Sequence, residues 1–227
     1  MVTDDAGSIT IVALVLLLAG LAVAFGIWSR KLARKRQADL ARLAGLLGLE
    51  FSPAKTSNIP QRFRFLDGLA QGSNRYAYNI MSGRYEGRRV MLFDYHFTTG
   101  SGKSRQDHNI SFFILSLERS FPELIIQPED FWSKFGQAMG FDDIDFEHHK
   151  FSRKFCVSSK DKKFAYDFCN ARMIEYLLQN NRAAVIEVEK SALALAFEGC
   201  LVPLSIPINL QRLIRIRSLM PAYLFAD

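Results

Sequence analysis

The sequence predicts an α+β protein: a single N-terminal transmembrane helix followed by a domain with an antiparallel β-meander, helical insertions and a C-terminal helix. Three observations lead there. Ile9 to Trp28 contains no charged residue, strand-length segments follow one another from Arg75 to Leu117, and Asn209 to Met220 forms a helical segment that Pro221 closes. Strands in sequential antiparallel order with a helix at the end favour α+β over a doubly wound sheet. A bent sheet or small barrel plugged by the last helix, of the pleckstrin-homology type, is the topology that this order suggests.

At about 1.5 Å per helical residue, the Ile9–Trp28 run is about 30 Å long, the thickness of a hydrocarbon core. Its twelve Leu, Ile, Val and Phe residues favour insertion by roughly 4 to 7 kcal/mol. Ala22-Val23-Ala24 could serve as a signal-peptide cleavage motif. Acidic residues before the run (Asp4, Asp5), its length and the bases behind it oppose that reading. Those bases, Arg30, Lys31, Arg34, Lys35 and Arg36, predict the orientation, because basic residues beside a span stay on the cytoplasmic side. The expected layout is a short extracytoplasmic segment (1–8), the span (9–28), a basic juxtamembrane stalk helix (30–48) and a cytosolic domain (50–227) at the inner membrane. Trp28 suits the headgroup level as an interfacial anchor. Gly20 with Ala24, and Ala22 with Gly26, are small-residue pairs that would permit helix pairing in a homo-oligomer.

The net charge of +6 suggests nucleic acid until it is divided along the chain. Residues 1–29 carry −2, residues 30–64 carry +7 and the remainder only +1. The basic excess therefore sits beside the membrane, where it attracts anionic lipid of the inner leaflet. A near-neutral domain argues against nucleic-acid binding. Cys156, Cys169 and Cys200 show no C-x-x-C spacing, and reduced thiols in a cytosolic domain account for them.

In the stalk, Leu40, Leu43, Ala44 and Leu47 make an i, i+3, i+4, i+7 stripe that docks on the domain or on a partner stalk and ends at Gly48. Phe51 to Asn74 reads as irregular, broken by Pro53, Pro60, Gly68 and Gly72. Ala77–Tyr85, a Glu86-Gly87 turn, Arg88–Thr98, a Gly-rich loop and Gln106–Leu117 make the meander. In its middle strand Met91, Phe93, Tyr95 and Phe97 line an apolar face. A short strand is predicted at Leu124–Gln127, a helix at Glu129–Met139 and an extended piece at Ile144–Phe146. A further strand is predicted at Arg153–Ser158 and helix at Phe164–Gln179, re-initiated by Asn170 as an N-cap. Ala183–Val188 and Leu193–Glu198 read as a late hairpin.

Three segments also carry a resemblance: Arg84-Tyr85-Glu86-Gly87-Arg88; Phe93-Asp94-Tyr95 with Thr98-Thr99-Gly100-Ser101-Gly102-Lys103; and Asp143-Ile144-Asp145-Phe146 with Phe151-Ser152-Arg153. From the anchor to the helix at Phe164 the chain resembles a family of bacterial membrane-anchored proteins, a domain of unknown function marked by this TTGSGK hairpin. The region after Val202 fits less well. The resemblance implies an architecture and no site residues.

Thr99 to Ser104 ends like a phosphate-binding loop, G-x-x-x-x-G-K-S, but Phe97 occupies the first glycine position and a strand follows the lysine. A phosphate cradle needs a helix N-terminus there. The hairpin is therefore expected to offer Gly100, Gly102, Lys103 and Arg105 as a partner-contact loop. If Thr98 paired with Gln106, His96 would face His108 beside Asp94, a set able to hold a divalent ion or move protons. Asp142, Asp143, Asp145, Glu147, His148 and His149 form an acidic and histidine cluster without calcium-loop spacing, which reads as a charged edge strand. G-x-S-x-G, H-E-x-x-H and G-x-G-x-x-G do not occur. The expectation is a single-pass protein that displays a cytosolic binding or scaffolding domain to an unknown protein partner, with no catalytic residues and no cofactor. The alternative is a membrane-tethered metal-dependent enzyme built on Asp94, His96 and His108.

Overall fold

The structure is a computed structural model that describes residues 5–128, 131, 144–180 and 184–226. One unbroken helix, α1 (Asp5–Leu46), contains both the apolar run and the basic stalk. It is long and apolar enough to cross a membrane. Its side chains from Ala13 to Phe25 stand exposed, whereas Leu40 and Ala44 are buried against the domain with Leu43 and Leu47 partly so. The predicted stripe thus docks on its own domain. Gly48 turns the chain with a positive φ of 68°.

The sheet has six antiparallel strands: β1 (Leu49–Ser52), β2 (Ser73–Tyr85), β3 (Arg88–Thr99), β4 (Gln106–Pro128), β5 (Phe155–Ser159) and β6 (Val185–Glu198). Ile110 of β4 pairs with Tyr95 on one side and Glu198 on the other, so β3 and β6 flank β4. Further along, Leu124–Ile126 pair with β5 and with β6. The sheet is α+β as predicted, with the meander intact and a tight Glu86-Gly87 turn in which both residues have positive φ. Among the described residues no strand joins β1 to β6, so the sheet stays open rather than closing as a barrel.

Two predicted breaks are bends. Glu118 to Glu123, charged and containing Pro122, lies inside the single strand β4, and Glu189-Lys190-Ser191 lies inside β6. Register shifts around the Phe121↔Lys190 pair show bulges there, and Lys190 takes a φ of 52°. A bulge absorbs the proline, which has no ladder donor to lose at that position, and bends both strands together. The segment read as irregular contains β1 and two single-turn helices, α2 (Asn58–Arg62) and α3 (Asp67–Ala70), which are too short to carry a periodic signal.

Residues from α1, α4 (His149–Ser152), α5 (Lys162–Phe168), α6 (Ala171–Asn180) and α7 (Ile206–Leu219) join one core on one face of the sheet, with Leu92, Phe113 and Leu195. The other face packs Phe93, Tyr95, Phe97 and Phe112 against Leu66, Leu69 and Phe131 around α2 and α3. Asn170 caps α6, its Oδ1 accepting from the Arg172 and Met173 N–H groups at 3.1 and 3.2 Å. The helix predicted at Glu129–Met139 lies outside the described residues apart from Phe131. All three cysteines are free.

Candidate functional site

The polar centre of the molecule lies on the α1-facing side of β3. Asp94 follows Val90 and Leu92 on the pleat and is fully buried. Its carboxylate accepts four hydrogen bonds. Arg36 Nη2 donates to both oxygens at 2.9 and 2.7 Å, the Leu201 N–H donates to Oδ1 at 2.6 Å, and Asn79 Nδ2 donates to Oδ2 at 2.7 Å. Arg36 also donates to the Leu201 carbonyl from Nε and Nη2 at 3.2 and 2.9 Å. A bulge in β2 delivers Asn79: the register slips between Tyr78 and Met81, and Asn79 takes a φ of 49° that brings its amide onto Asp94. Nearby, the Tyr78 hydroxyl donates to Asn109 Oδ1 at 3.3 Å and lies 3.4 Å from Cys200 Sγ. Burial, ahead of that thiol contact, pushes its pKa upward.

An ionised carboxylate offers about four lone-pair sites, and Asp94 spends all four on the protein. It cannot serve as an open ligand while Arg36 is in place. The strand register also separates the other two residues of the predicted metal set, correcting the assumed pairing by one residue. Thr98 pairs with Asp107, so His96 faces Asn109 and His108 faces Phe97. A one-residue slip sends neighbouring side chains to opposite faces. His96 stacks on Tyr76 at 4.6 Å and approaches Asp107 at 3.7 Å. His108 Nε2 lies 2.7 Å from Thr99 Oγ1 and its ring stacks on Phe97 at 4.9 Å. Among the described residues no group of three His, Cys, Asp or Glu side chains has metal-binding geometry. Of the acidic and histidine cluster, Asp142 and Asp143 lie outside the described residues, and Asp145, Glu147, His148 and His149 are exposed.

Arg36, grouped in the sequence with the bases beside the span, turns inward as a clasp. Arg30, Lys31, Arg34 and Lys35 remain exposed, and no described residue pairs with them. A cleft of about 720 Å³ lies apart from this site, with exposed His148, Lys150, Arg153, Lys154 and Glu175 on its walls, an open basic surface rather than an enclosed reaction chamber.

The Gly-rich hairpin forms a short 3-10 turn (Gly102–Ser104) that runs straight into β4. Ser104 Oγ donates to the Ser101 carbonyl at 2.9 Å. Gly100 and Gly102 take φ of 69° and 55°, and a Cβ at Gly100 would overlap the Ser104 carbonyl oxygen. Gly100→Ala should therefore unfold the hairpin tip, visible as loss of amide-exchange protection confined to Thr99–Gln106. Lys103 and Arg105 are exposed at the rim, Arg105 lying 3.4 Å from Asp107. The strand after Lys103 leaves no helix N-terminus to cradle a phosphate.

Two contacts orient the helix on the sheet. Arg36 meets Asp94, and the end of α1 leads into Leu49, which pairs with Gly83 and through it lies beside Val90. Moving back along α1 from Leu47 to Arg36, about 17 Å, thus parallels β3 from Val90 to Asp94, about 13 Å. Beyond Asp94 the strand runs on for about 20 Å to Gly100, while Trp28 lies about 12 Å back along α1 from Arg36. Sheet twist swings the hairpin off the helix axis, but it sits at the end of the domain from which the apolar half of α1 departs.

No family model matches the chain, and no curated protein matches it. Among solved structures, the chain is similar to the crystal structure of the mycobacterial trehalose monomycolate transport factor A, TtfA. The TM-score is 0.61 at 12% identity, over 82% of this chain and 94% of that one. At that identity the likeness establishes a shared fold, an open antiparallel sheet with helices.

Sequence reasoning found Asp94 and Arg36 separately and missed their pairing. The only local signal was a lone carboxylate in an apolar strand, whose burial demands a partner.

Proposed function

We propose that this protein is a single-pass membrane protein of the inner membrane, N-terminus outside, that holds a non-catalytic α+β module in a fixed orientation against the cytosolic leaflet, where it engages a protein partner. The Arg36–Asp94 clasp carries this reading. A flexible linker would let a tethered domain tumble, whereas here the helix that leaves the membrane enters the core unbroken and is locked by a buried ion pair. A module so fixed suits a scaffold that presents one face to another membrane component. The likeness in fold to a transport factor supports an accessory role of that kind. Saturation of Asp94 removes the main support for the metal-dependent alternative.

The orientation rests on Arg30, Lys31, Arg34 and Lys35. A reporter that works only in the cytosol should be active when fused after Asp227, and activity of a strictly external reporter there would reverse the assignment.

On this reading the Gly-rich hairpin lies at headgroup level, with Lys103 and Arg105 available to anionic lipid. In nanodiscs containing phosphatidylglycerol, the amides of Ser101–Arg105 should exchange more slowly than in phosphatidylcholine discs. Lys103→Ala with Arg105→Ala should abolish that difference yet change stability by under about 1 kcal/mol, because both charges are exposed. Saturable ATP binding lost on Lys103→Ala would instead restore the nucleotide reading.

A further inference from the structure

We propose that the turn from Val202 to Ile208 is a further membrane contact, a wedge whose Val202, Leu204 and Ile208 side chains enter the interfacial zone of the leaflet from which α1 emerges. The proposal rests on the reading of α1 as a membrane span. From Cys200 to Leu210 the chain carries no charge. Within that run Val202, Leu204 and Ile208 are 55%, 93% and 52% exposed, while Leu201 and Ile206 are buried and hold the turn in place. Pro203 and Pro207 restrict its backbone further. These apolar side chains are therefore held outward by a fixed frame.

Arg36 fixes where that frame sits. Its guanidinium donates to the Leu201 carbonyl, and a helical side chain leans toward the N-terminus of its helix. Leu201, itself part of the clasp, thus lies beside the turn of α1 that precedes Arg36, and the Val202–Ile208 turn leaves the clasp from that level. Lys31, Arg34 and Lys35 are exposed on that same stretch of α1, so apolar side chains sit beside bases, the pairing that favours an anionic interface. A protein partner would need more surface. Three aliphatic side chains on a convex tip offer a few hundred Å² at most, against the roughly 800 Å² per partner of a stable interface. Insertion into lipid requires no complementary shape.

The test uses the full-length protein in vesicles of phosphatidylethanolamine and phosphatidylglycerol, with a diazirine-bearing side chain at position 16, 204 or 223 in turn. Leu16 lies in the span, and Tyr223 is exposed beyond the far end of α7. Lipid adducts at 204 should exceed those at 223 by about tenfold or more, the preference that burial of one leucine side chain sets. Adducts at 16 but only the level of 223 at 204 would overturn the wedge and leave the span standing. Cross-links from 204 to a second copy of the chain in place of lipid would also overturn it, and absence of lipid adducts at 16 would remove the wedge together with the span.

Discussion

Arg36→Ala should lower the unfolding free energy of the domain by about 3 to 5 kcal/mol, the usual cost of leaving one partner of a buried ion pair without the other. The effect should be asymmetric. Asp94 has no exposed side-chain surface and Arg36 has 28%, so a stranded Asp94 carboxyl stays in the interior while a stranded Arg36 can turn toward water. Asp94→Asn should therefore cost less, about 1 to 3 kcal/mol. The Asn79 amide has a buried oxygen without a partner and could rotate to accept from the new amide. Replacing both partners with apolar residues, Arg36→Met with Asp94→Leu, should recover only part of the loss: the desolvation cost of both charges disappears, but the Leu201 N–H and the Asn79 amide lose their acceptor. Urea unfolding of the full chain in micelles measures all three variants. A nitroxide at Leu32 should gain mobility in Arg36→Ala, where α1 comes free of Leu201. Equal costs for the two single variants would show that exposure of Arg36 does not matter and that the clasp works as a symmetrical pair.

The second large effect concerns Glu187, which is buried on the opposite face of the sheet. Its carboxylate oxygens accept from the N–H groups of Asp67 and Gly68 at the start of α3, and this ties the α2–α3 segment to β6. Burial pushes its pKa up to about 8 from an ordinary 4.5, against the opposing effect of those two backbone donors. Below pH 4.5 the group is protonated in both folded and unfolded chains and contributes no pH dependence. Between 4.5 and 8 the unfolded chain releases the proton while the folded one keeps it, so stability falls as pH rises, by about 1.4 kcal/mol per unit. The total is about 5 kcal/mol by pH 8, after which the curve flattens. Burial raises Asp67 and Glu189 as well, in the same sense, with Glu123 adding repulsion to each and Lys160 opposing it. Glu187→Gln keeps an acceptor for α3 and cannot ionise. It should match the parent protein near pH 5 and exceed it by several kcal/mol at pH 8.5 in urea unfolding. Parallel pH profiles for the two proteins would show that Glu187 does not titrate in this window.

Both residues mark the limit of what local patterns reveal. The stripe of Leu40, Leu43, Ala44 and Leu47, the Glu86-Gly87 turn and the Asn170 cap were all legible, because each depends on residues within one or two turns of one another. The register of β3 on β4 was not. It hangs on how the six-residue Gly-rich connection folds, and a change of one residue there moved His96 and His108 to opposite faces. The bends in β4 and β6 were misread as turns because charge and proline mark a bulge and a loop alike. Only the partner strand, bent at the same place, distinguishes them.

The apolar helix, the basic stretch beside it, the near-neutral domain and the antiparallel meander are all legible in the order of residues. These follow from hydropathy, periodicity and the distribution of charge along the chain, which act locally and need no partner to be specified. What Arg36 and Asp94 do emerges only from the packed chain, since they are 58 residues apart and complete their network with Leu201, a further 107 along. A buried charge announces that it needs a partner but not which one. That choice is made by the bulge at Asn79, the docking of α1 and the return of the chain after β6, and together these turn two separately readable residues into the clasp that fixes the domain on its helix.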